Sequence, residues 1–331
     1  MKSVSAAMAA FIVVGCTIDR SGEAEVGAAT SGAGGGAVGP GTTAASATTG
    51  TGSGGGRGGC YNEAYHLDAS LSDLQSSYQG AQWLGAMLET LGRRYDNGWY
   101  VVDAMKTDPW LTDSFPSFFE LGSFAGMIES LDTACHEETH GYDFEQALSF
   151  PDEHLYYMGP DLEVIAPKLA FFERNAIVPV VTQGGSVTAM YDDTYLTGSQ
   201  GSYDFIFLAD ELTAYINGLA CATSVGDHIA GGHSYRDGAA AHLYYLEAYL
   251  KVARSQHARL YDSWRANTAW QKFVRYSWAR GHFWTEAAMA HPHLGINDAA
   301  IWARIDDPAN LEEIALFTGD DPAVVACHPE R

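Results

Sequence analysis

His136-Glu137-Glu138-Thr139-His140 places two imidazoles four residues apart, with a carboxylate directly after the first. On a helix, positions i and i+4 project from one face, so both rings can reach a single Zn2+ ion. Zinc lowers the pKa of a bound water toward about 7, and Glu137 is placed to take its proton. This is the chemistry of metal-activated water. It requires a helix, and Phe118–Tyr142 reads as one. At about 100° per residue, Phe124, Met127, Ile128, Leu131 and Cys135 gather on one side. His136 and His140 fall roughly opposite, with Glu129 and Thr133. The expectation is a helix that packs by its apolar face, offers the His pair to a cleft, and ends or bends at Gly141.

A catalytic zinc also needs a third protein ligand and an open position for water. The motif resembles that of the zincin metallopeptidases. In the zincins that use a third His, a Gly and that His follow at fixed offsets, and here Asp143 and Gln146 stand at those positions. The branch with a Glu ligand on a second helix remains. In its best-known form that Glu would fall at Gly159-Pro160, and the nearest Glu, Glu163, lies in an extended stretch between Pro160 and Pro167. Leu208-Ala209-Asp210-Glu211-Leu212-Thr213-Ala214-Tyr215 resembles the E-x-x-A-Y helix that completes the site in zincin families with long insertions. Asp204, Glu211 and Tyr215 share one helical face. The resemblance implies His136, His140 and Glu211 as metal ligands, Glu137 as general base, and Tyr215 as a hydrogen-bond donor to the developing oxyanion. Glu163, Asp210, His228 and His233 are the other candidates for the third ligand.

Several polar residues admit two readings. Asp143, three residues after His140, would orient a ligand imidazole or sit at a helix end or turn. His233, Tyr235 and Arg236, in the Gly-flanked loop 231–238, would line a cleft or be solvated. His291 and His293 would form a second metal pair or lie on a surface loop. Trp264, Trp270, Trp278 and Trp284 fall in helical stretches and read as core rather than as a sugar platform.

These residues sit in a chain of 331 residues with 18 Lys+Arg against 41 Asp+Glu, a net charge of −23. That balance excludes the basic footprint that nucleic acid or anionic lipid would require. Residues 1–15 form a Lys-led apolar leader too short to span a bilayer. Val13-Val14-Gly15-Cys16 resembles the lipobox of bacterial lipoproteins, which implies lipidation of Cys16 and an extracytoplasmic place in the cell envelope, at the outer membrane or cell surface. Residues 16–59 form a tether, almost entirely Gly, Ala, Ser and Thr from Gly27 onward, whose composition cannot bury enough apolar area to fold. Cys60, Cys135, Cys221 and Cys327 remain, enough for two disulfides in any of three connectivities, and a bridge at Cys135 would brace the metal helix.

The domain, residues 60–331, reads as helix-rich α+β with a small mixed or antiparallel sheet, zincin-like by the resemblance. Helical spacing covers Asp68–Arg94 with a stop at Gly92, then Tyr203–Ala222, Ala239–Trp264, Ala269–Ala290 and Asn297–Phe317. Gly98–Asp103, Tyr156–Pro167, Ile177–Thr182 and Ser186–Leu196 read as strands or hairpins. Two functions compete. One is a membrane-anchored zinc peptidase acting on a peptide or protein substrate. The other is a non-catalytic surface lipoprotein, zincin-like or of unrelated helical fold, acting as a binding module.

Overall fold

A computed structural model describes residues 60–159 and 161–330; the leader 1–15, Cys16 and the tether 16–59 lie outside the described residues. In chain order the longer helices are α1 (Trp83–Arg94), α2 (Asp96–Ala104), α3 (Leu131–Ala147), α4 (Phe205–Ser224), α5 (Tyr235–Gln256), α6 (Ala258–Arg265), α7 (Thr268–Ala288), α8 (Asp298–Ile305) and α9 (Pro308–Thr318). One antiparallel hairpin, β1 (Glu153–Tyr157) with β2 (Glu163–Pro167), pairs Tyr157 with Glu163 and Glu153 with Pro167. The fold is therefore helix-rich α+β with a two-stranded sheet.

The fold is organised around α4. Its sequence, FIFLADELTAYINGLACATS, is apolar nearly all round, and such a helix must be covered on every side. It is long and apolar enough to cross a membrane by length and composition, yet 72% of its apolar window is buried inside the domain, which is the signature of a core helix. Asp204 caps it by accepting from the Ile206 amide at 2.9 Å. Helices α3, α5 and α7 and strand β1 all pack against it. The closest approach is to α3. At Gly218 an added Cβ would lie 3.0 Å from the Asp132 carbonyl oxygen and 3.4 Å from His136 Cβ. The Cys135–Cys221 disulfide joins the same two helices, and Cys60–Cys327 joins the two ends of the domain. Disulfides of this kind form in oxidising compartments. The four tryptophans are core, none more than 2% exposed.

Several expectations are corrected. Gly98–Asp103 is part of helix α2, not a strand: Gly98, Val101 and Val102 are buried at i, i+3 and i+4 spacing, so packing overrides the β-branched pair. Ile177–Thr182 is a helical turn, with Pro179 in the first turn, where its missing N–H costs nothing. Ser186–Leu196 forms no strand either, and from Ala189 onward it is helical. The buried Asp192 carboxylate gathers Ser186, Thr188 at 2.8 Å and Tyr245 at 2.6 Å, which winds the segment into turns. Gly92 does not stop α1, which runs on to Arg94, whose buried guanidinium is anchored on Asp227 at 3.0 Å. Gly141 does not end α3, which continues to Ala147. Of the strand readings, the hairpin at Tyr156–Pro167 stands. The helical stretches stand in part: Asp68–Leu71 and Tyr78-Gln79 lie outside the helices of the first, Phe118–Ser123 and Ser130 outside those of the second, and His257 and Asp306-Asp307 interrupt the later ones.

A buried ion pair ties the start of the domain to this core. Arg280 on α7 meets Glu63 at 2.5 Å, and Tyr95 donates to the same carboxylate at 2.7 Å. Burial alone would raise the Glu63 pKa, but the Arg280 charge and three hydrogen bonds hold it below the usual carboxylate range. Arg280 also donates to Asn217 Oδ1 at 3.0 Å, and Asn217 donates to Thr139 Oγ1 at 3.0 Å and to the Tyr157 carbonyl at 3.1 Å. Arg280→Met strands a buried carboxylate, so unfolding in guanidinium should show a loss of about 3–5 kcal/mol, partly recovered when Glu63→Gln is added. A loss under about 1 kcal/mol would show that the pair does not hold the segment.

Candidate metal centre

The α3–α4 contact places side chains from distant parts of the chain together. His136 and His140 come from α3, with the buried Glu137 next to His136 in sequence; Asp210, Glu211 and Tyr215 come from α4. His136 Nε2 and His140 Nε2 are 3.1 Å apart. Glu211 Oε2 lies 3.6 Å from the first and 3.5 Å from the second. Three donor atoms thus form a nearly equilateral triangle. With bonds of about 2.0–2.1 Å and tetrahedral angles, the ligand atoms of a zinc site are spaced by about 3.3 Å, so the triangle has the size a zinc ion requires. Two imidazole nitrogens at 3.1 Å cannot both present lone pairs to each other. A proton on one of them, or a cation between them, removes the conflict. Among the described residues, His136, His140 and Glu211 are the group of His, Cys, Asp and Glu donors that could hold a metal ion.

The His face of α3 is not open along its length, as the apolar stripe had implied. Phe124, Met127 and Ile128 belong to a separate short helix, Phe124–Glu129, and α3 is buried on both sides. His136 is 5% and His140 3% exposed, because their rings face α4 rather than a broad cleft. Access comes from the other helix. On α4 the half-buried positions include Phe207, Glu211 and Tyr215, spaced four apart, while most of their neighbours are fully buried.

The electrostatics follow from carboxylates held near imidazoles away from water. His140 Nδ1 donates to Asp210 Oδ2 at 2.7 Å, which leaves Nε2 aimed at the donor triangle. Burial disfavours a charged His140, but Asp210 and Glu211 outweigh it and raise its pKa well above the ordinary value. Burial raises and the His charges lower the two carboxylates; the His charges win, and both Asp210 and Glu211 fall below the carboxylate range. Asp143 does not orient His140, and it is not at a helix end. It lies inside α3, fully buried, accepts from the Tyr157 amide at 2.8 Å, and is pushed up by burial and by the nearby Asp210 charge. The orienting carboxylate is Asp210, 70 residues from His140 in sequence. Its adjacency to Glu211 was the available signal: neighbouring helix positions can serve the ligand and its hydrogen-bond partner.

Tyr215 lies against the site. Its ring meets the His136 ring edge-on at 4.5 Å, and its hydroxyl is 2.8 Å from that of Tyr195. Behind it, the buried His242 stacks on Tyr215 at 4.4 Å and donates from Nδ1 to the Gly238 carbonyl at 2.9 Å. Burial pushes His242 down to about 4, so its ring is neutral. At Gly238 an added Cβ would come within 2.3 Å of the Tyr215 ring, so α5 needs glycine there. The Arg174 guanidinium lies 5.6 Å from the centre of the Tyr195 ring. None of Tyr195, His242 and Arg174 carries a sequence signal: they come from segments that only the tertiary fold brings together.

The other candidates lie apart. Glu163 accepts from Tyr142 at 2.7 Å. His228 stands beside Asp227 and Arg94. His233 contacts the Ala230 carbonyl. His291 and His293 have ring centres 5.9 Å apart, and His293 Nε2 contacts the Gly226 carbonyl at 3.1 Å. Arg236 is buried against Asp298 at 3.0 Å, and so is not a solvated loop residue. No protein-family model, curated protein or solved structure matches the chain, so the site stands on its own geometry.

In the metal-free protein the His140–carboxylate pairing stabilises the fold at low and neutral pH, and this contribution is lost as pH rises through the raised His140 pKa. A metal must displace that proton. Zinc affinity, measured by chelator competition, should therefore weaken by about tenfold per unit as pH falls below the raised value. Asp210→Asn should weaken it by about 10- to 100-fold at fixed pH. An affinity independent of pH and unmoved by Asp210→Asn would remove these two residues from metal binding.

Proposed function

We propose that the protein is a zinc-dependent peptidase of zincin type, acting outside the cytoplasm and held to a membrane through a lipid on Cys16 and the tether 16–59. The observation that carries the reading is the donor triangle of His136, His140 and Glu211, with sides of 3.1 to 3.6 Å, on the helix that also carries Glu137. A three-ligand set suits a catalytic zinc, because the fourth position is left for water or substrate. Zinc held there supplies a Lewis acid and a water of pKa near about 7.

The chain's own residues do the rest. Glu137, next to His136 and buried, takes the proton of the attacking water and delivers it to the departing amine. Tyr215, over the His136 ring, donates a hydrogen bond to the oxygen that becomes negative as the carbonyl is attacked. Asp210 fixes the tautomer and direction of His140. Exclusion of water around these groups strengthens each of these interactions.

The test is Glu137→Gln on disulfide-bonded 60–331, with zinc content measured beside cleavage of a fluorescent casein. Loss of general-base catalysis should lower turnover by about 10²- to 10⁴-fold with about one zinc per chain retained. His136→Ala should lose the metal. A Glu137→Gln protein that cleaves as well as its parent sinks the mechanism. Absence of zinc from the parent, even when zinc is supplied, leaves a non-catalytic surface lipoprotein as the reading.

A further inference from the structure

Asp132 lies one turn before His136 on α3, and residues four apart on a helix stand about 5–6 Å from each other at Cβ. It is half-buried, as is its neighbour Thr133, whereas Leu131 and the residues from Ala134 to His140 are buried, so α3 reaches the surface at this turn as well as at its exposed C-terminal end. The Asp132 carboxylate accepts from Thr133 Oγ1 at 3.3 Å and from the Tyr235 hydroxyl. Both donors are neutral. Among the described residues, no Lys, Arg or His forms an ion pair with it. The groups around it are Tyr235, whose one hydroxyl proton is shared with the Glu129 carbonyl at 3.2 Å, and the His233 ring stacked on Tyr235 at 4.8 Å. Asp132 has only dipoles.

We propose that Asp132 is the substrate's cation receptor, taking a primary ammonium group beside the bond positioned at His136, His140 and Glu211. The ammonium is either the N-terminal amine of a peptide or a Lys side chain. This rests on the hydrolytic reading of the site. A carboxylate held by neutral donors and lacking a protein cation gains most from a bound cation, because that cation supplies the missing counter-charge in a poorly solvated place. Burial pushes the Asp132 carboxyl up to about 7, above the effect of its donors, so an ammonium would also draw its proton off. The net charge of −23 favours the approach of cationic substrates.

The experiment compares three peptides on zinc-loaded 60–331. One has a free N-terminus and norleucine beside the cleaved bond. One is N-acetylated with Lys there, and one is N-acetylated with norleucine there. The parent should cleave one of the two ammonium-bearing peptides at least about tenfold better than the neutral peptide, and which one identifies the source of the ammonium. Asp132→Asn, which keeps the shape and the neutral contacts, should bring that ratio to within about twofold, with the change carried by KM. Zinc content and near-ultraviolet circular dichroism should match the parent, and Asp132→Ser serves as a second variant. Cleavage without preference, or a preference that survives both variants, overturns the receptor and leaves hydrolysis standing. If the parent cleaves none of the three, the hydrolytic reading fails. Calorimetric binding of the same peptides then decides the receptor alone: Asp132-dependent binding of an ammonium peptide supports it, and equal binding of all three overturns it.

Discussion

The contact between α3 and α4 is the constraint on which the site depends. The His pair needs only one helix, since i and i+4 bring two imidazoles together. The third donor comes from a helix that begins more than fifty residues after α3 ends, and it arrives only if the two helices touch at close range. Three features fix that range. Gly218 removes the side chain that would hold the helices apart, the Cys135–Cys221 bond joins them one residue from His136, and Asn217 reaches from α4 to Thr139 inside the motif. The register between the helices follows from these contacts, and the donor triangle follows from the register. Asn217 in turn is held by Arg280, which is held by Glu63 beside the Cys60–Cys327 bridge. The first residues of the domain are thus linked to α3 by a chain of buried polar contacts.

Burial decides how these groups behave. Imidazoles and carboxylates held away from water interact more strongly than at a surface. His140, Asp210 and Glu211 shift together in the direction that favours a proton on the imidazole and negative carboxylates. The same arrangement suits a divalent cation, which replaces the proton and satisfies both nitrogens. Asp210 acts in either state because its bond is to Nδ1, on the far side of the ring from the triangle. Around Tyr215 the same low polarity keeps His242 neutral, so the stack behind Tyr215 adds no charge to compete with Glu211.

How much of this was legible in the sequence depends on how local each feature is. The HEETH pair and its helix were legible because the chemistry and the spacing lie within five residues. Glu211 was legible through its own short segment, and Asp210 beside it only as a rival ligand. The hairpin and the long amphipathic helices followed from periodicity. The strands expected at Gly98–Asp103, Ile177–Thr182 and Ser186–Leu196 did not form, because Val and Tyr favour strands only where a pleated surface receives them. Here the receiving surfaces are helices, and Val101 and Val102 bury at helical spacing instead. Neither reading of Asp143, as the orienting partner of His140 or as a helix-end residue, holds, because its carboxylate lies inside α3 and turns to the Tyr157 amide of the hairpin, a contact sequence distance does not show.

The metal-free geometry also bears on what a metal would contribute. In small metal-dependent domains the ligands are brought together by the ion, and folding energy comes from binding it. Here α4 is covered by α3, α5 and α7 through apolar contacts that do not involve the donors. The disulfides cross-link loops of 86 and 267 residues, which removes about 5 kcal/mol of unfolded-chain entropy each in the chain-entropy account. The donors are then positioned by the fold at the spacing a tetrahedral ion needs. A site arranged in advance loses little ordering entropy on binding, and its remaining cost is the displaced proton of His140. Affinity would accordingly be set by proton competition and by Asp210 rather than by folding.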